Sequence, residues 1–213
     1  MKLKAIFCAV VMLAAVAASA QTLLITNGVQ TYPGLTNTTV TMTGRSELRI
    51  TGTNNPLSGN TINLNSADAW LIVANLRPSV VSASYLSQVK VNGASAVAGS
   101  NCRLDQYAMG TVIIPQAPGY LPLQVFSGPN FLGATASYGN YTYYTNTLLG
   151  AMRWNISSFK LKRGYAATFA QNADGTGASK VYVAQNGDLE VSFLPANLDD
   201  RVNFVRVIPW RWT

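Results

Sequence analysis

After residue 20 the chain is cut by turn formers into short apolar runs, and none of them extends into a helical stripe. The runs are Leu23–Ile25, Thr39–Met42, Leu48–Ile50, Thr61–Leu64, Ala69–Val73, Gln88–Val91, Arg103–Tyr107 and Thr111–Ile114. Between them stand Gly52-Thr-Asn-Asn-Pro56, Ser58-Gly59-Asn60, Asn92-Gly93 and Gly99-Ser100-Asn101. Turn residues at this spacing leave room for strands and little else, so the pattern predicts an all-β protein.

Asn92-Gly93 between Val89-Lys90-Val91 and Ala96-Val97 predicts a tight hairpin with both central residues at positive φ. From Leu48 to Leu76 the chain reads Leu-x-Ile-x-Gly, Thr-Ile-x-Leu, then Trp-Leu-Ile-Val. Successive rungs of a parallel solenoid, with Asn laddering between turns, explain that pattern. An antiparallel sandwich explains it equally well. Ile114 to Pro122 holds three prolines and a glycine, which cannot continue a central ladder, so residues 21–117 and 118–213 are expected to be separate domains.

The second part reads as two related units. In the first, strands are expected at 121–126, 134–139, within Asn140–Leu149, and at 157–161. In the second they are expected at 165–171, 179–184, 189–193 and 202–208. Ser157-Ser158-Phe159-Lys160-Leu161 and Asn203-Phe204-Val205-Arg206-Val207 are the best internal match. The first unit also carries Phe126-x4-Phe131-x-Gly133 around a Gly-Pro-Asn turn, a hairpin folded back on itself whose glycine lets backbone pass close to a ring.

An aromatic-x4-aromatic-x-Gly corner followed by a Ser-Ser strand resembles a Greek-key motif of the βγ-crystallin superfamily. The resemblance covers about 121–210 and implies a double Greek-key sandwich. It also implies a place to look for calcium, because many microbial members bind it through two Asn/Asp, two free positions, Ser/Thr and Ser. Ser157 and Ser158 match the end of the first segment, but Arg153 and Trp154 stand where Asn/Asp belong. Asp199 and Asp200 match the start of the second, but Asn203 and Phe204 replace its hydroxyls. Calcium needs six to eight hard oxygens, and a cation at position 153 opposes it. Ser157, Asp199 and Asp200 are the residues that remain for a weakened site. The last strand with its tail, Phe204 to Trp212, is similar to the end of noncatalytic modules that precede glycoside hydrolase cores in secreted bacterial proteins. This implies an accessory role beside a downstream catalytic module.

Residues 1–20 read as a leader: Lys2 and Lys4, an apolar run, then Ala18-Ser19-Ala20. The apolar run is short for a bilayer, so export with no remaining membrane span is expected, to the periplasm, cell surface or medium. Loss of Lys2 and Lys4 takes the 15 basic residues to 13 against 8 acidic ones. The basic residues are scattered apart from Lys160, Lys162 and Arg163, where Lys160 and Lys162 are expected on the wet face of a strand. No recognition helix or RNP-like run accompanies them, so no nucleic-acid partner is expected.

The chain has no histidine, which removes Ser-His-Asp chemistry and the usual zinc sites. Cys102, the one cysteine past the leader, is expected to be a buried small hydrophobe. Asp188 and Glu190, two apart on a strand, are the simplest carboxylate pair. Asp68 beside Trp70 and Asp105 near Tyr107 are further acid–aromatic neighbours. No catalytic residue is assigned. Aromatic rings with neighbouring amides suit a sugar face, and Asn140, Tyr141, Tyr143, Tyr144, Trp210 and Trp212 are the candidate ligand-binding residues. If the tyrosine run is a strand, Tyr141 and Tyr143 share one face. The reading is a secreted, noncatalytic all-β module: an N-terminal β-sandwich or short β-solenoid-like domain, then a βγ-crystallin-like sandwich. Extracellular polysaccharide is the expected partner. A calcium-stabilised envelope protein and a polysaccharide lyase or hydrolase are the alternatives.

Overall fold

The computed structural model describes residues 21–116 and 119–210. The expected leader and Trp212 lie outside them. In chain order the elements of the first half are β1 (Gln21–Ile25), β2 (Gly28–Tyr32), β3 (Leu35–Thr36), β4 (Thr38–Met42), β5 (Ser46–Ile50), β6 (Leu57–Ser58), β7 (Thr61–Leu64) and β8 (Trp70–Val73). Helix α1 (Pro78–Ser84) and strands β9 (Val89–Val91), β10 (Ala94–Ser95), β11 (Cys102–Tyr107) and β12 (Gly110–Pro115) complete it.

The stacked-rung alternative is the one realised. Strands β1, β4, β7 and β9 pair in parallel, as do β2, β5 and β8, and β3 with β6, so the chain coils through three walls. Parallel register puts like residues above one another. Leu23, Val40, Ile62 and Val89 form one column, and Ile25, Met42, Leu64 and Val91 another. Leu48, Leu71 and Ile113 form a third, and these columns make the core. The antiparallel hairpin β11–β12 closes the second wall against β8. Between β9 and β10, Asn92 and Gly93 have φ of 49° and 83°, as the tight turn requires.

One corner is held by a polar column. The Asn60 amide accepts from Thr38 N–H at 2.9 Å and donates to Leu35 O at 2.8 Å. Its backbone N–H donates to Gln88 Oε1 at 2.9 Å. Helix α1 was invisible to periodicity because only Val81 of it is buried, so no apolar stripe exists to be read.

The second half contains β13 (Leu123–Phe126), β14 (Thr135–Tyr138), β15 (Thr142–Tyr143), α2 (Asn146–Leu149), β16 (Ser158–Leu161), β17 (Tyr165–Ala170), β18 (Ser179–Ala184), β19 (Leu189–Val191) and β20 (Phe204–Pro209). Two four-stranded sheets form, ordered β14-β13-β16-β19 and β15-β20-β17-β18. Each unit sends its third strand to the other unit's sheet: Tyr143 pairs with Val205, and Glu190 with Lys160. The core between the sheets includes Phe159 and Phe169, whose rings lie 4.8 Å apart. The expected third strand within Asn140–Leu149 is only two residues long. Thr145 turns the chain into α2, its hydroxyl and carbonyl accepting from Leu148 and Leu149 N–H respectively.

The corner at 126–133 is fastened by serine. Ser158 Oγ accepts from Phe131 N–H at 3.0 Å and donates to Gly128 O at 2.6 Å. Phe126 and Phe131 meet edge to face at 5.7 Å. Gly133 is needed for a reason other than ring contact: at φ 83° its Cβ would lie 2.4 Å from Ser127 Oγ.

Replacement of Asn60 by alanine would leave Thr38 N–H and Leu35 O without their amide partner. The expected loss is about 1–3 kcal/mol, read as a lower urea midpoint with an unchanged slope.

Candidate functional site

The two halves meet along a seam built from charged side chains. The Arg163 side chain is 5% exposed. Its guanidinium lies 3.8 Å from the Trp70 ring centroid, donates to Asp68 O and Ser46 O, and pairs with Glu47 at 3.5 Å. Burial presses its pKa down, and Glu47 works against that. Arg103 pairs with Asp105, donates to Gly164 O at 3.0 Å and lies over the Tyr165 ring at 4.7 Å. Arg45 donates to Asn186 O at 3.2 Å. Trp210 is half-buried against Trp70, Ile72, Val112 and Ile114, and its backbone N–H donates to Gly164 O at 2.9 Å. That packing assigns Trp210 to the seam and away from a free sugar platform.

The carboxylates read as candidate acids are all occupied by cations. Lys162 Nζ lies 2.9 Å from Asp188 and 3.8 Å from Asp68, and Lys160 Nζ lies 2.9 Å from Glu190. Partial burial pushes the Asp188 pKa up, but the Arg163 N–H and the Lys162 ammonium outweigh it and hold it below its ordinary 3.8. A carboxyl held ionised in this way is the wrong partner for general-acid work near neutrality. Lys160 and Lys162 keep the half-exposed positions expected of them, whereas Arg163 turns inward. Cys102 is buried, and burial raises its thiol to about 11, so it is a core residue and not a nucleophile at neutral pH.

Two clefts flank the seam and share Leu121. The larger, about 540 Å³, is lined by Ser100, Arg103, Gln116, Tyr120, Asn140 and Tyr143 among others. The smaller, about 430 Å³, lies against the outer face of β13, β16 and β19, where Gln124, Lys160 and Glu190 stand in one cross-strand row. The tyrosine run divides by burial. Tyr143 packs on the core, and its hydroxyl accepts from Gly139 N–H at 2.9 Å. Tyr141 is 57% exposed and Tyr144 46% exposed. The Tyr141 ring stands edge to face with Tyr143 at 5.5 Å, beside exposed Asn140.

The two segments expected to carry calcium ligands do face each other. Trp154 and Asp200, the second residue of each, have φ of 56° and 52°. Trp154 N–H donates to Val202 O at 2.8 Å, and Asp200 N–H to Ile156 O at 3.2 Å. Ser157 Oγ donates to Asp200 Oδ1 at 3.2 Å, so Asp200, and not Asp199, stands opposite that serine. On the other side the Arg153 guanidinium donates to Asn203 Oδ1 and lies 4.0 Å from the Trp154 ring centroid. A calcium ion does not fit this set. One side offers a carboxylate and a hydroxyl, and on the other a cation already holds the amide oxygen. Among the described residues no three of His, Cys, Asp and Glu group to hold a metal.

The exchanged third strands and the serine-fastened corner decide the fold of the second half. It is a βγ-crystallin-like Greek-key pair. Solved structures similar to part of the chain include a βγ-crystallin domain from Flavobacterium johnsoniae, 30% identical over 41% of this chain and 94% of that one, with a TM-score of 0.35. The N-terminal domain of Protein S is 27% identical over 42% of this chain and 97% of that one, with a TM-score of 0.36. A βγ-crystallin domain from Clostridium beijerinckii is 18% identical over 41% and 97%, with a TM-score of 0.36. No family model and no curated protein matches the chain.

The Asp188–Lys162 pair gives a pH prediction. A depressed carboxylate pKa contributes stability that is present above the ordinary 3.8 and lost as pH falls through the lower folded value. Acidification below about pH 4 is therefore expected to lower the melting temperature more in the wild type than in Asp188→Asn, as followed by circular dichroism.

Proposed function

We propose that this chain is an exported, noncatalytic β module that binds extracellular polysaccharide at the seam. The observation that carries the reading is the larger cleft, with Asn140 and Tyr143 in its lining, together with the exposed Tyr141 ring that stands edge to face with Tyr143. A sugar needs a flat apolar face and hydrogen-bond groups; Asn140, Gln116 and Ser100 line the cleft, and the exposed ring is that of Tyr141, the next residue after Asn140. Tyr143 anchors the platform from below, and the Trp210 ring holds the seam that shapes it. The pairing of every candidate acid with lysine or arginine supports a binding role over a hydrolytic one. Attachment of such a module to a catalytic partner belongs to the same proposal and rests on the similarity of Phe204 to Trp212 to the ends of noncatalytic modules. No helix among the described residues is long and apolar enough to cross a membrane.

Affinity electrophoresis of the purified protein through gels holding plant, algal or bacterial polysaccharides tests this. Retardation by at least one glycan is expected. Tyr141→Ala is expected to weaken it about tenfold, the roughly 1.4 kcal/mol that one stacked ring supplies. Free migration in every gel would refute the proposal.

A further inference from the structure

The paired segments 153–158 and 199–204 are joined by reciprocal backbone hydrogen bonds and then by two unlike side-chain bridges. One bridge is a hydroxyl to a carboxylate. The other brings a half-buried guanidinium onto the oxygen of an amide that is itself only 8% exposed. An amide oxygen this buried needs a donor or a cation, because leaving it unmade costs the full desolvation penalty. Arg153 supplies both, and its plane is held by the exposed Trp154 ring beneath it.

We propose that Arg153 is a tethered cation that locks the two Greek-key units together in place of a bound metal ion. Arg153 faces Asn203, the fifth residue of the opposite segment, and takes up its amide oxygen. A side chain cannot dissociate, so the lock holds at any free calcium concentration. The module would then keep its shape both inside the exporting cell and outside, where calcium differs greatly. This inference is independent of the glycan reading.

Thermal unfolding of the full protein in EDTA and in millimolar calcium chloride tests it. The wild type is expected to melt at the same temperature in both. Arg153→Met keeps the aliphatic stem over Trp154 but removes the charge, and is expected to lose several degrees in both buffers. Arg153→Lys is expected to fall between them. Arg153→Asn with Trp154→Asp restores oxygen ligands, and is expected to melt low in EDTA, to rise with calcium, and to show heat on calorimetric titration with calcium. A wild type that gains several degrees from calcium would overturn the proposal. So would an Arg153→Met protein as stable as the wild type, or a double variant deaf to calcium. Should Arg153→Met fail to fold, the comparison of Arg153→Lys with wild type and the calcium response of the double variant decide the matter.

Discussion

A buried guanidinium needs partners to replace water, and the Arg163 guanidinium meets Glu47, Ser46, Asp68 and Trp70, all in the first half of the chain. Removing such a charge from water costs several kcal/mol unless hydrogen bonds and an opposite charge replace the lost hydration. Glu47, the carbonyls of Ser46 and Asp68, and the face of Trp70 do so. Each lies in the coil, while Arg163 sits between β16 and β17 of the sandwich. These contacts tie the loop after β16 to the coil. Gly164 follows because a Cβ there would lie 3.1 Å from Trp70 and 3.2 Å from Arg103. Arg103 repeats the device in the opposite direction, reaching from β11 to the Gly164 carbonyl.

The seam has two consequences for function. It consumes the acidic residues that sequence reading singled out, since Asp68, Asp105 and Asp188 all hold cations there. It also forms the cleft, because Ser100 and Arg103 come from one half, Asn140 and Tyr143 from the other, and Gln116 and Tyr120 from the proline-rich link between them. A cleft split between two halves exists only while their orientation is fixed.

Much of this architecture is legible in the sequence. Strand positions follow from period-two runs cut by turn residues, and the Greek-key pair from Phe126, Phe131, Gly133 and Ser158, which the structure joins in one fastened corner. The choice between coil and sandwich in the first half is not legible. Alternation along one strand is the same whether its neighbour runs parallel or antiparallel, and the repeat from Val40 to Ile62 to Val89 has no constant length. The seam is also silent. Arg163 looks like one more charge in a basic cluster, and its place in the turn between β16 and β17 is what carries it inward. Of the two acids that the sequence leaves for a metal, it is Asp200, in the left-handed conformation, that Ser157 meets.

If the seam fixes the halves as described, they melt together. Differential scanning calorimetry of the wild type should give one transition with matching calorimetric and van't Hoff enthalpies. Arg163→Ala with Arg103→Ala should resolve two, one for the coil and one for the crystallin-like sandwich. Two separate transitions in the wild type, or one unshifted transition in the double variant, would contradict the account.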